Sequence, residues 1–161
     1  MTVEEYNKSV DLYADGIYRF ALKTIKNQEK AKDIVQDAYE KLWIKHPDVS
    51  YKKVKSYLFT TTYHTTIDLI RKEKTKADFE FTQLSNTSTV DQYSDISDVL
   101  NKAVERLPDI QKSVLLLRDY EGYSYEEIGE ITELNESQVK VYIFRARLFL
   151  KNYLVSIENI I

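Results

Sequence analysis

Residues 135–150 carry side chains that can bind DNA. Lys140 and Arg145 can donate hydrogen bonds to phosphate oxygens or to guanine, and Val141 and Phe144 can contact thymine methyl groups. At helical spacing these four side chains lie away from an apolar stripe that we expect to be buried. The complete set expected to face DNA is Ser137, Gln138, Lys140, Val141, Phe144, Arg145 and Arg147.

Two helices and a tight turn must position these side chains. Ser124 is a good N-cap and Glu127 follows three residues later, so a capping box is predicted to start a short helix. Asn135 is the next cap candidate, and apolar residues recur at helical spacing from Val139 onwards. The pattern indicates a helix-turn-helix, although paired helices of this kind also occur in bundles that bind nothing.

Composition favours long helices. The 161 residues include only three Gly and two Pro, too few for a turn-rich β fold. There is no Cys, and hence no disulfide framework and no thiolate metal site. No signal peptide is evident and no apolar run approaches the roughly 20 residues that span a bilayer, so we expect a soluble, cytoplasmic protein without membrane insertion.

The net charge of −3 is unevenly distributed. Residues 1–77 contain 15 Lys and Arg against 11 Asp and Glu, whereas residues 95–161 contain eight against 12. A protein that binds DNA alone usually has a clearly basic face. This chain would depend on local basic clusters, or on a partner that supplies affinity.

Three amphipathic segments precede a polar linker. They span about residues 3–26, 28–45 and 53–74, and the second has apolar residues at regular helical positions from Ala31 to Trp43. On this pattern we expect Leu12 and Trp43 to be buried. His46-Pro47 should end the second helix, since the residue before proline avoids the α region.

The linker is followed by four further helical segments. One covers about residues 96–107, another is opened by Pro108 at its first position, and the helix-turn-helix completes the set. The predicted fold is all-α, with a three-helix domain at residues 1–76, a flexible linker at 77–95 and a four-helix domain at 96–161.

Read in order, these motifs resemble the extracytoplasmic-function group of bacterial RNA polymerase sigma factors, in the sigma-70 family. Residues 31–43 (AKDIVQDAYEKLW) and 56–72 (SYLFTTTYHTTIDLIRK) are similar to region 2 of that family. Residues 107–128 (LPDIQKSVLLLRDYEGYSYEEI), continuing to Arg145-Ala-Arg147, are similar to region 4. The resemblance covers nearly the whole chain except the linker.

The resemblance implies partners and a function. Such proteins bind core RNA polymerase, through the beta-prime coiled coil and the beta flap, recognise two promoter elements and open the DNA at the downstream one. They have no catalytic site and need no cofactor or metal, and many are held inactive by an anti-sigma protein. The alternative is a stand-alone helix-turn-helix regulator that binds duplex DNA without polymerase.

The resemblance also assigns the two N-terminal surfaces. The acidic face of the second helix would bind polymerase, although such a face is usually just solvated. The third helix would bind the melted downstream element, with aromatic platforms for bases and cations for phosphates; its aromatics could instead be core. The polymerase-binding residues are Asp33, Gln36, Asp37 and Glu40. The downstream-element residues are Lys52, Lys53, Tyr57, Thr61, Tyr63, His64, Arg71, Lys72 and Lys74.

The last helix is unusually apolar for a helix that reads DNA. Members of the family often carry polar or basic residues at the positions of Val141, Tyr142, Leu148 and Phe149. They also favour glycine in the turn at Glu133, which implies a left-handed backbone there. A surface of this kind usually binds a partner. We expect it to pack against the N-terminal domain or an anti-sigma protein when the factor is idle.

An enzyme is the least favoured function. The chain has neither a glycine-rich phosphate loop nor a histidine–carboxylate cluster with metal-ligand spacing.

Overall fold

The computed structural model describes residues 1–80 and 96–158, and all the regular secondary structure in these ranges is helical. The first three helices form an N-terminal unit: α1 (Val3–Ile25), α2 (Gln28–Lys45) and α3 (Val54–Glu80). Thr2 and Glu5 cap α1 reciprocally, and the Asn27 side chain caps α2. Helix α2 ends immediately before His46-Pro47, as predicted, and two 3₁₀ turns lead into α3.

The remaining helices form a C-terminal unit: α4 (Ile96–Glu105), α5 (Asp109–Leu115), α6 (Tyr125–Thr132) and α7 (Glu136–Glu158). A π-helical turn at Leu116–Tyr120 extends α5. Pro108 is the N-cap of α5 rather than its first helical residue. The chain therefore has seven α-helices in the described ranges, and the predicted all-α class is confirmed.

The helix-turn-helix forms as predicted. Ser124 and Glu127 cap α6 reciprocally, and Glu133 ends it with a left-handed backbone at φ 61°. Asn135 Oδ1 accepts a hydrogen bond from the Gln138 N–H at 2.8 Å, and Gln138 Oε1 accepts one from the Asn135 N–H at 3.0 Å. These caps satisfy backbone donors at both helix starts and so determine where each helix begins.

The two units share one continuous apolar core. In the N-terminal unit it includes Ile17, Phe20 and Leu58; in the C-terminal unit it includes Ile128 and Ile143. The units meet where the Phe59 and Tyr123 rings pack edge to face, with centroids 4.9 Å apart. Helix α6 packs directly against α3. The two predicted helical bodies are therefore in contact in this structure.

Two apolar residues expected in the core are exposed. Leu12 is 61% exposed and Trp43 is 47% exposed. With 3.6 residues per turn, Leu12 lies about 140° around α1 from the fully buried Ile17. Trp43 lies at the end of α2, where Tyr6 and His46 cover it only in part.

Two helix ends also differ from expectation. Helix α3 continues to Glu80, past the predicted end near residue 74, and α4 ends at Glu105, before the predicted 107. Residues 75–80 contain no proline or glycine that would stop the helix. The rest of the predicted linker, residues 81–95, lies outside the described residues.

Candidate functional site

The predicted polymerase-binding residues form an exposed polar face on α2. Asp33, Gln36 and Glu40 are exposed, and the Gln36 Nε2 donates to Glu40 Oε1 at 3.5 Å. Asp37 is half-buried and pairs with Lys41 at 3.0 Å, one turn away. Most of the carboxylates on this face are therefore open to arginine or lysine from another molecule.

An aromatic groove borders this acidic face. It lies between α1 and α2 and is lined by Tyr6, Gln36, Tyr39, Glu40, Trp43 and Ile44. The Trp43 ring stacks on His46 with centroids 4.6 Å apart, and Ile44 is 77% exposed. Tryptophan and tyrosine are enriched at protein interfaces, where a few residues supply most of the binding energy.

The start of the predicted downstream-element surface is open. Lys52 and Lys53 are exposed on the 3₁₀ turn before α3, and Tyr57 and Thr61 are half-buried on its first turns. Beyond them, Arg71 and Lys72 are also exposed. Cations therefore flank both ends of this part of α3, as binding of a nucleic-acid backbone requires.

The middle of the same surface lies against the C-terminal unit. Tyr63 is only 8% exposed, and burial raises the pKa of its hydroxyl. His64 Nε2 lies 3.7 Å from Glu133 Oε1 in the helix-turn-helix, and Lys74 Nζ binds Asp109 Oδ2 at 2.6 Å. Of these three residues the structure buries only Tyr63, while His64 and Lys74 stay exposed beside carboxylates of the C-terminal unit.

The predicted DNA-reading side of α7 is exposed. Ser137, Gln138, Lys140, Val141, Phe144 and Arg145 all lie on its solvent side, whereas Val139, Ile143 and Ala146 are buried. Phe144 is 67% exposed and Val141 is 44% exposed, so the apolar side of α7 does not pack on the N-terminal unit here. Lys140 pairs with Glu136 at 3.3 Å within the helix.

Arg147 has a partner inside the C-terminal unit. Its Nη2 donates to Asp119 Oδ1 at 2.6 Å and its Nε to Oδ2 at 3.3 Å. These hydrogen bonds raise the pKa of the guanidinium. Arg147 therefore connects α7 to the π-helical turn, and a DNA contact would have to replace this pair.

Comparison with known proteins identifies the family. Residues 10–76 match Sigma-70 region 2, and residues 97–150 match Sigma-70, region 4. The chain is 33% identical over 141 residues to RNA polymerase sigma factor SigV of Bacillus subtilis, covering 83% of this chain and 81% of SigV. It is 27% identical over 156 residues to ECF RNA polymerase sigma factor SigM of the same organism, covering 94% of each.

The chain is an extracytoplasmic-function sigma factor of RNA polymerase. Its relatives are transcription initiation factors rather than enzymes. A stand-alone regulator is not favoured, because the N-terminal unit of this sigma factor matches region 2.

Solved structures share the fold of the sigma factor. One is the sigma factor RpoE in complex with the anti-sigma factor NepR from Bartonella quintana, with a TM-score of 0.78, 24% identity, and coverage of 94% of this chain and 98% of that one. Another is CnrH in complex with the cytosolic domain of CnrY, with a TM-score of 0.69, 17% identity, and coverage of 94% and 88%.

From sequence we expect the two units of the sigma factor to meet through α7, and the contact that they make through Arg19 and Glu121 was not anticipated. Arg19 binds Glu121 through two hydrogen bonds, Nε to Oε1 at 2.8 Å and Nη2 to Oε2 at 2.9 Å. These bonds raise the pKa of Arg19. No motif pairs these two residues, which are 102 positions apart, so the charge asymmetry of the two halves was the only sequence signal for their contact.

The described part of the sigma factor contains neither a group of three metal-ligating side chains nor a helix long and apolar enough to cross a membrane.

Proposed function

We propose that this sigma factor directs core RNA polymerase to promoters by dividing the work between its two units. The N-terminal unit, residues 1–76, binds polymerase and the melted downstream element; the C-terminal unit, residues 96–161, reads the upstream element. The observation that carries this proposal is the presence of region 2 and region 4, in that order, on one chain. The polymerase supplies the chemistry, and the factor acts in the cytoplasm without catalysing a reaction.

Polymerase binding is assigned to the acidic face of α2. Asp33, Gln36, Asp37 and Glu40 present polar groups to a basic partner surface, which we take to be the beta-prime coiled coil. The neighbouring aromatic groove adds apolar area through Trp43, whose indole is half exposed. The carboxylates would orient the sigma factor as it meets polymerase, and burial of the apolar groove would supply affinity.

Promoter recognition is assigned to α3 and α7. Lys52 and Lys53 before α3, and Arg71 and Lys72 on it, would hold the backbone of melted DNA, while Tyr57 and Tyr63 would stack on unpaired bases. On α7, Lys140 and Arg145 would contact phosphates or guanine in the major groove, and Val141 and Phe144 would contact thymine methyls.

An anti-sigma protein is the further partner that we propose. RpoE, which shares this fold, was solved in complex with the anti-sigma factor NepR, and CnrH, which also shares it, was solved with the cytosolic domain of CnrY. The exposed Val141, Phe144 and Leu148 on α7 form an apolar strip that an amphipathic helix can cover.

The test is run-off transcription with purified core polymerase and a promoter library. Reversing two carboxylates in Asp33→Arg/Asp37→Arg should reduce promoter-dependent transcripts at least tenfold, because a basic partner would then meet like charge. The matched control is Glu4→Arg/Asp11→Arg, which makes the same change in charge at two exposed positions on α1.

Transcripts that survive the α2 double reversal would contradict the docking assignment. An absence of transcripts with the unmodified factor, at any promoter, would contradict the function itself.

A further inference from the structure

A cavity of about 390 Å³ lies where the ends of α1 and α2 meet α4 and the π-helical turn. Two lysines, one glutamate, three aliphatic side chains, two amides and a tyrosine line it. None of these residues belongs to the sets assigned to polymerase or to DNA. The volume is in the range of pockets that hold small molecules, so the lining indicates what kind of molecule would fit.

Lys23 brings to this cavity a cation that no carboxylate neutralises within the described residues. Its Nζ lies 3.7 Å from the Tyr120 ring centroid, and burial lowers its pKa, as does the positive charge of Arg19. The Glu121 carboxylate acts against this shift, but it already accepts two hydrogen bonds from Arg19. A half-buried ammonium in this setting would be stabilised by an anion that enters the cavity.

Lys26 reaches the cavity from an unfavourable backbone conformation. It ends α1 with φ 60° and ψ 31°, in the left-handed region where glycine is the usual residue. Its Nζ lies 2.9 Å from Glu105 Oε2, but the two side chains are 43% and 45% exposed. An exposed ion pair contributes little stability and does not account for a lysine at this position. Strain of this kind persists where a side chain serves a function.

A third lysine adds positive charge beside this pair. Lys112 on α5 is 6% exposed, and after burial the largest cause of its lowered pKa is the charge of Lys26. The Glu105 carboxylate acts in the opposite direction. Three lysines thus share the neighbourhood of one cavity carboxylate, and the excess positive charge favours an anion with more than one negative charge.

The rest of the lining suits an organic molecule better than a bare ion. Val104 and Leu116 are buried and, together with the half-buried Leu22, form an apolar side. The side-chain amides of Gln28 and Asn101 can donate and accept hydrogen bonds. Small-molecule sites typically combine an apolar lining with a few polar groups that fix the orientation of the ligand.

We propose that this cavity binds a small organic phosphate. Lys23 and Lys26 hold the phosphate group, since an ammonium binds phosphate as a point charge with three N–H donors. The apolar side formed by Leu22, Val104 and Leu116 covers the organic part. The entering phosphate competes with Glu105 for Lys26. The site does not depend on promoter recognition, because it shares no residue with the surfaces assigned to DNA.

Binding is tested by isothermal titration calorimetry on the full chain at low salt. The probes are adenosine 5′-monophosphate and ribose 5-phosphate, compared with inorganic phosphate and with adenosine. At least one of the two organic phosphates should bind with a Kd below about 1 mM, and at least about tenfold more tightly than inorganic phosphate or adenosine. Failure of both organic phosphates to bind, or equal affinity for inorganic phosphate, would overturn the proposal.

Lys26→Gly locates the site without endangering the fold. Glycine relieves the left-handed backbone, so the melting temperature should not fall, while loss of the cation should weaken binding of the organic phosphate about tenfold. The control Lys32→Gln removes one cation at an exposed position of α2 and should leave the affinity unchanged. Unchanged affinity in Lys26→Gly, or an equal loss in the control, would place the ligand elsewhere and refute the assignment.

Glu105→Gln separates a binding role of Lys26 from a merely structural one. Removing the competing carboxylate should tighten binding of the organic phosphate several-fold, whereas a lysine retained only for its ion pair would give no gain. Glu130→Gln, at an exposed position of α6, is the matched control and should have no effect. Unchanged or weaker binding in Glu105→Gln would contradict the proposed competition for Lys26.

Discussion

Lys112 shows how a single side chain can oppose the stability of a helical unit. It is 6% exposed on α5, and burial lowers the pKa of its ammonium more than the neighbouring carboxylates of Asp109 and Glu105 raise it. The folded protein therefore holds a partly desolvated cation, which is costly wherever the ammonium stays charged.

Lys112→Met should raise the free energy of unfolding by about 1 kcal/mol at neutral pH, since methionine fills a similar volume without a charge. Urea denaturation followed by circular dichroism measures the change. Lys151→Met, at an exposed position of α7, is the control and should have little effect.

The stability that Lys112→Met adds should depend on pH. Because folding lowers the pKa of Lys112, the unfolded chain binds more protons than the folded one between the two pKa values. The unmodified protein therefore gains stability as the pH rises. The advantage of Lys112→Met should therefore shrink as the pH rises through the lowered pKa of Lys112 and vanish above the unfolded value of roughly 10.4. An advantage that grew with pH would contradict the argument.

At the level of elements, the helix-turn-helix depends on a close approach of two backbones. A Cβ built on Gly129 in α6 would lie 2.7 Å from the Leu134 carbonyl oxygen and 4.0 Å from Val139 Cγ2. The Leu134 N–H also donates to the Gly129 carbonyl, at 3.1 Å. Only glycine allows the chain to return across α6 at this distance.

Gly129→Ala should destabilise the protein by at least about 1 kcal/mol, although alanine is the better helix former by roughly that amount. Thermal unfolding monitored by circular dichroism provides the measurement. Glu130→Ala, at the next and exposed position of the same helix, should change stability by less than about 0.5 kcal/mol. Equal melting temperatures for Gly129→Ala and the unmodified protein would show that the turn relaxes easily.

On the scale of the whole molecule, contact between the units should make them unfold together. The chain has one tryptophan, Trp43 in α2, so its fluorescence reports on the N-terminal unit alone, whereas far-ultraviolet circular dichroism reports on all helices. Probes of this kind give coincident transitions only when a protein unfolds in one cooperative step.

The unmodified factor should therefore show the same urea midpoint by fluorescence and by circular dichroism at low salt. In Arg19→Glu the two curves should separate, because repulsion at Glu121 uncouples the units. The control Lys32→Glu makes the same change in charge at an exposed position of α2 and should leave the two curves coincident. Separate midpoints in the unmodified factor would mean that the shared core around Phe59 and Tyr123 contributes too little free energy to couple the units.

Local chemistry made much of this protein predictable from sequence. The capping boxes at Ser124 and Asn135, the stop before Pro47 and the left-handed Glu133 all depend on residues within four positions of each other, so neighbours in sequence suffice to specify them. The same holds for the sigma-factor motifs, whose order and spacing pointed to a family that the comparisons confirmed.

Only the tertiary structure decided which predicted surfaces are accessible. Trp43 and Tyr63 are both aromatic residues on amphipathic helices, yet one is 47% exposed beside the acidic face and the other is 8% exposed under the C-terminal unit. Exposure is determined by what packs on a helix from distant parts of the chain, and periodicity contains no information about that. Arg19 and Glu121 illustrate the same limit, since a pair 102 residues apart forms only when the units come together.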